Sequence, residues 1–258
     1  MKQTAIFRKV AIDMFFAQLM WAGGFLGVML IVNIVKIILT GMGIQDEVEG
    51  YFNSIYIAAN IFMLIVGILS IYFLPHFVGN GVTRRDCFLG TALASIGLSI
   101  TIPIITLIIS LLEKMILGLV DLPYKMQTIN DIELDGNLIG DIVQSIILTP
   151  YVNPLDHWLL AICVLSLNLF IYYLLGWFIS SSFYRFDFIA GLAAILTSIV
   201  IKMLLDTLLR IALELPVFGW FSKLTFLPMS VALCGILVVI LLTFWSVRRI
   251  TKRVSIKM

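Results

Sequence analysis

Charge is the scarcest commodity in this chain. Only 12% of its 258 residues are Asp, Glu, Lys or Arg, while 61% are hydrophobic. A water-soluble domain carries roughly 25% charge, and a globule of this length has too little interior for so much apolar side chain. Lipid must be the solvent for part of its surface. Cysteine is thin too: Cys87, Cys163 and Cys234 lie scattered in or beside apolar runs, so no disulfide framework is indicated. His76 and His157 fall on opposite sides of the membrane in the topology below, too far apart to share a metal. There is no G-x-x-x-x-G-K-[ST] phosphate loop, no H-E-x-x-H motif and no visible nucleophile–base pair. These absences argue against catalysis by this chain alone, and no cofactor or metal is expected.

What the chain has in abundance is long apolar runs. A helix needs about 20 mostly apolar residues to cross the hydrocarbon core. Five runs meet that length, and a sixth meets it if Lys202 snorkels towards the head groups. The expected spans are 14–38, 55–75, 87–112, 158–180, 188–205 and 224–247, with an external loop over 113–157. The N-terminal run is long and has no A-x-A-like cleavage site, so it is expected to stay as an anchor. No internal repeat or soluble domain interrupts the pattern. The fold class is all-α: one membrane domain of six transmembrane helices.

Six spans put both termini on one side. Eleven of the 17 basic residues fall there: Lys2, Arg8, Lys9, Arg84, Arg85, Arg185, Arg248, Arg249, Lys252, Arg253 and Lys257. Only Asp13, Asp86 and Asp187 of the 15 acids join them. Basic residues are retained on the cytoplasmic side, so the termini are expected to be cytoplasmic. Trp21, Trp158, Trp177, Trp220 and Trp245 all fall near span ends, as interfacial belts require. Outside, "NLIGDIVQSIIL" has apolar residues at helical spacing and is expected to form a short interfacial helix.

Among polar features, "VTRRDCFLG" stands out. Thr83 with Asp86 three residues on has the form of a capping box, so a helix is expected to start at Thr83 and run into the third span. Gly79 and Gly81 allow a sharp turn after Pro75. Arg84 and Arg85 then occupy the first helical positions, where the macrodipole disfavours cations by roughly 0.3–1 kcal/mol each. Two readings justify them: anchoring on anionic head groups, or docking against an acidic surface of a cytoplasmic partner. Lys202, Asp206, Arg210 and Glu214 recur every four residues with alternating sign. This pattern reads as a salt-bridged, exposed outer extension of the fifth span, each pair adding about 0.2–0.5 kcal/mol. Asn33, Asn60 and Asn168 read as packing contacts between helices, and Pro103 as a kink in the third span. With no ionisable residue at mid-depth of the clear spans, an ion-coupled carrier is disfavoured.

"GVTRRDCFLGTALA", in a short loop between the second and third spans, resembles the corresponding loop of small bacterial ABC-2-type permeases, the membrane subunits of ABC exporters found beside ATPases in Firmicutes. The motif match covers about fourteen residues, and the six-span loop pattern extends it. The resemblance implies a type V exporter-like fold in which Thr83, Arg84, Arg85, Asp86, Phe88 and Leu89 form a coupling helix against a separate ABC ATPase subunit. "MKQTAIFRKVAIDMFF" is similar to the N-terminal interface helix of such permeases, though an ordinary flank to an anchor helix reads the same way. "LELPVFGWFSK", with Leu215, Pro216 and Gly219, resembles their external re-entrant hairpin, against the alternative of a plain interfacial loop. The implied partners are the ATPase, a second permease copy or a paralogue, and the lipid bilayer, with no nucleic acid. The implied location is the bacterial cytoplasmic membrane. An accessory or sensor membrane protein that transports nothing is the alternative.

Overall fold

The computed structural model describes residues 6–44, 50–120, 149–217 and 221–252. Among these residues there are seven α-helices and two 3-10 turns: α1 (Ile6–Gly41), α2 (Tyr51–Leu69), a 3-10 turn (Ser70–Tyr72), α3 (Phe73–Gly79), α4 (Arg84–Val120), α5 (Trp158–Arg185), α6 (Phe188–Ala212), a second 3-10 turn (Ser222–Phe226) and α7 (Met229–Lys252). Helices are what an apolar chain in lipid must form, since each backbone donor then finds its acceptor within the segment. With α2 and α3 counted as one interrupted rod, six helical units are long and apolar enough to cross a membrane. The six-span expectation agrees with this.

The ends of these rods are written locally. At the end of α1, Gly43 takes a φ of 74°, and the Ile44 N–H reaches back to the Leu39 carbonyl at 3.0 Å. Gly81, at φ 83°, closes α3 in the same way, with the Val82 N–H on the Phe77 carbonyl at 3.0 Å. Both are left-handed terminations that glycine enters without a Cβ penalty. Pro75 does not itself turn the chain. It lacks an N–H, and in an α-helix its ring would strike the carbonyl four residues back. The 3-10 turn at Ser70–Tyr72 carries the rod past it into α3, and the reversal waits for Gly81.

Several expected boundaries move, two of them by enough to change a reading. α1 is one helix of 36 residues, so residues 6–16 of the basic N-terminal stretch run into the span without a break. α4 spans 37 residues and passes through Pro103 to Val120, so 113–120 is helix and not part of the external loop. The proposed interfacial helix "NLIGDIVQSIIL" lies outside the described residues.

α5 is the hub. It packs against α2, α4, α6 and α7, while α1 lies along α4. The α2–α5 crossing is closest, and glycines explain why. A Cβ on Gly67 would sit 2.2 Å from the Tyr173 carbonyl oxygen, and one on Gly176 would sit 2.2 Å from that of Leu64. Each backbone thus rests in a notch on the other, the close approach that small residues permit between membrane helices. Around this crossing Phe52, Ile55, Met63, Leu165, Leu169 and Tyr173 are fully buried. Trp177 is buried there too, against Phe88 and Phe244, so it is a core residue and not part of an interfacial belt.

Contacts also sort the helix ends. The start of α1 meets the start of α4 through Val10 and Gly90. The start of α4 meets the end of α7, and the end of α5 meets that same terminus. This shared face, called the near end below, gathers most of the basic residues assigned to one side by sequence. α1 and α4 are the longest of the described helices, at 36 and 37 residues.

Candidate functional site

At the near end, the cap at Thr83 forms with one change from expectation. The Thr83 hydroxyl oxygen accepts from the Asp86 N–H at 3.1 Å, and its proton goes to the Asp86 carboxylate at 2.7 Å. The carboxylate therefore engages the hydroxyl instead of reaching for the Thr83 N–H. Helix α4 begins directly after, with the Cys87 N–H on the Thr83 carbonyl at 2.9 Å.

The two arginines then part company. Arg84 is half-buried, and its Nη1 donates to the Lys252 carbonyl at 3.1 Å, in the last turn of α7. Arg185, at the end of α5, donates to the Arg249 and Ile250 carbonyls of that turn at 2.9 and 3.1 Å. The final carbonyls of a helix have no partners within it and carry the negative end of the macrodipole. Two guanidinium groups from two other helices thus cap α7. Arg84 is misplaced with respect to its own helix and well placed for another, a third justification beyond lipid and partner. Four residues on, Phe88 shares its inward face. It packs 5.1 Å from Trp177 and 5.0 Å from Phe244, with the Arg248 guanidinium 5.0 Å above its ring.

The six residues expected to couple to an ATPase are therefore divided. Arg84 and Phe88 are tied into the bundle, Asp86 and Leu89 are half-buried, and Thr83 and Arg85 are exposed. Of the two adjacent arginines, Arg85 is the exposed one.

A second polar region lies inside the opposite half. Asn53, Tyr56 and Asn60 of α2, Thr149 to Tyr151 of the returning chain, and Asn168 of α5 form one buried set. Asn60 Nδ2 donates to the Thr149 hydroxyl at 3.1 Å, and Asn168 Nδ2 reaches the Tyr56 hydroxyl at 3.4 Å. Tyr56 donates to the Pro150 carbonyl and Tyr151 to the Asn53 side-chain carbonyl. Two of the three expected asparagines bridge helices, Asn168 through Tyr56 and Asn33 through Glu113 at 2.6 Å, whereas Asn60 ties α2 to the non-helical returning chain.

Beside this set, α6 corrects the sequence reading. Lys202, Asp206 and Arg210 were expected on an exposed face, yet they are only 3%, 5% and 6% exposed. Asp206 accepts from Lys202 Nζ at 3.3 Å and from Arg210 Nε at 2.8 Å, and the ammonium lies 5.2 Å from the centre of the Tyr172 ring. Glu214 leaves the series. The helix ends at Ala212, and Glu214 is exposed with φ at 56°, a left-handed terminator without glycine. Of the hairpin residues, the Leu215 N–H returns to the Arg210 carbonyl at 2.9 Å, and the Pro216 carbonyl accepts from Arg210 Nη1 at 3.4 Å. Gly219 lies outside the described residues.

Sequence reasoning missed one residue of this half. Glu113 was assigned to the loop, but it is 8% exposed on α4, held by Asn33 and by the Tyr51 N–H at 2.8 Å. The available signal was a carboxylate ending a long apolar run, with an asparagine inside another. Among the described residues no group of three or more His, Cys, Asp or Glu side chains is arranged to hold a metal.

The class defined by this fold is a multi-pass, all-helical membrane protein. Comparison with protein-family models, characterised proteins and solved structures finds no match.

Proposed function

We propose that this chain is the permease subunit of an ATP-driven exporter of the ABC-2 type, in the bacterial cytoplasmic membrane with both termini cytoplasmic. ATP hydrolysis belongs to a separate ATPase subunit, and a second copy or paralogue completes the pathway. Amphipathic peptides, drugs or lipid-like molecules are the fitting cargo, because the lipid-facing and interhelical surfaces are overwhelmingly neutral. The observation that carries the reading is the arginine clasp. The turn that exposes Thr83 and Arg85 is bound through Arg84 to the end of α7. Arg185 ties that same end to α5, the hub of the bundle. A push on the exposed side of the turn is thus delivered to three spans at once, which is what a subunit driven from outside the membrane requires.

The test is reconstitution with the phosphate-loop ATPase encoded nearest this chain. A stable complex holding two permease subunits, with ATP turnover above that of the ATPase alone, is the expected result. A permease that inserts and folds but neither binds the ATPase nor changes its turnover would leave the accessory or sensor reading in its place.

A further inference from the structure

Far from the near end, α1 and α4 line a cavity of about 420 Å³, open on the side where Ile34, Leu112 and Ile116 are exposed, that the proposed coupling does not use. Its walls are apolar, with Ile34 and Ile37 from α1 facing Leu112 and Ile116 from α4. Its polar lining includes Glu113 and Asn33. Glu113 Oε1 accepts from Asn33 Nδ2 at 2.6 Å, and Oε2 accepts from the Tyr51 N–H at 2.8 Å. Both partners donate, so each carboxyl oxygen has one contact. Among the described residues no Lys or Arg nitrogen lies within salt-bridge distance of it. Beside it the Asn33 side-chain oxygen, on a residue 1% exposed, has no hydrogen-bond partner.

A buried carboxyl group and a buried, vacant acceptor beside an apolar cavity are both costly unless a donor meets them. Glu113 stands about 44 Å along α4 from Arg84, by a rise of 1.5 Å per residue. That exceeds the ~30 Å hydrocarbon thickness, so the cavity lies at the level of head groups on the far side. We infer that this cavity binds a protonated amine carried on an apolar chain: the ammonium seated between Glu113 and the Asn33 oxygen, the chain against Ile34, Ile37, Leu112 and Ile116. An ammonium has three donors and no acceptor, matching two acceptors that lack a proton source. The amine comes from a lipid head group or from a lysine of an amphipathic peptide, and the chemistry recognised is the same. This site stands whether or not an ATPase drives the chain.

Native mass spectrometry of the full chain in dodecyl maltoside tests it by counting adducts. Dodecylamine is expected to bind once per chain, and N-acetyldodecylamine, which keeps the tail and loses the charge, at least tenfold more weakly. Glu113→Gln, which keeps the shape and the Asn33 contact, should weaken dodecylamine at least tenfold and leave the acetylated probe unchanged. Ile116→Trp, which fills the cavity, should weaken both. Displacement of dodecylamine by phosphatidylethanolamine but not by a short leucine–lysine peptide assigns the amine to lipid; the reverse assigns it to peptide. Equal binding of the amine and its acetylated form overturns the inference even if Glu113→Gln fails to fold. So does unchanged dodecylamine binding in a folded Glu113→Gln chain.

Discussion

The two ends of the bundle use the same side chains for opposite purposes. At the near end, Arg84 and Arg185 are half-buried, still within reach of solvent, and donate to the carbonyls of a neighbouring helix end. In the far half, Lys202 and Arg210 are buried and share one carboxylate within their own helix. A surface guanidinium that loses its acceptor finds water, whereas a buried ion pair that loses a member strands a charge. The near end can therefore be rearranged at lower cost. The far half resists rearrangement.

Breaking the buried ion set should have the largest effect. Asp206→Ala leaves Lys202 and Arg210 buried without their shared acceptor, and a loss of about 3–5 kcal/mol is expected, read as the unfolding midpoint in detergent. Replacing the set together, Lys202→Met with Asp206→Leu and Arg210→Met, should recover most of it. Full loss in that triple variant would mean that these charges hold more than one another. Next comes the α2–α5 crossing: Gly67→Ala or Gly176→Ala drives a methyl into a facing carbonyl and should cost about 1–3 kcal/mol, measured the same way. At the near end Thr83→Ala removes the cap of α4, for about 0.5–2 kcal/mol. Smallest and of opposite sign, Glu214→Gly relieves a left-handed residue and should stabilise by about 1 kcal/mol.

These contrasts were unevenly legible in the sequence. Apolar runs revealed the six spans because lipid leaves a chain no other way to satisfy its backbone. The cap at Thr83 was legible because its partners are three residues apart. Burial of Lys202, Asp206 and Arg210 was not, since a spacing of four puts residues on one helix face without saying whether that face meets solvent or protein. Partners distant in the chain were equally hidden. Arg84 finds its acceptor 168 residues on, and Asn33 finds Glu113 across 80. The notches at Gly67 and Gly176 look like any other helical glycine until the facing backbone is in place.

The central claim is that the two adjacent arginines do different work, Arg84 for the bundle and Arg85 for a partner. Each should be changed to lysine separately, and the ATPase-stimulating activity of the reconstituted complex measured beside the unfolding midpoint of the permease alone. A lysine keeps the charge and loses the planar fork that pairs with carboxylates. The account predicts that Arg85→Lys lowers stimulated turnover several-fold with the midpoint unchanged, while Arg84→Lys lowers the midpoint first. Equal effects of the two variants on both readouts, or a silent Arg85→Lys, would contradict it.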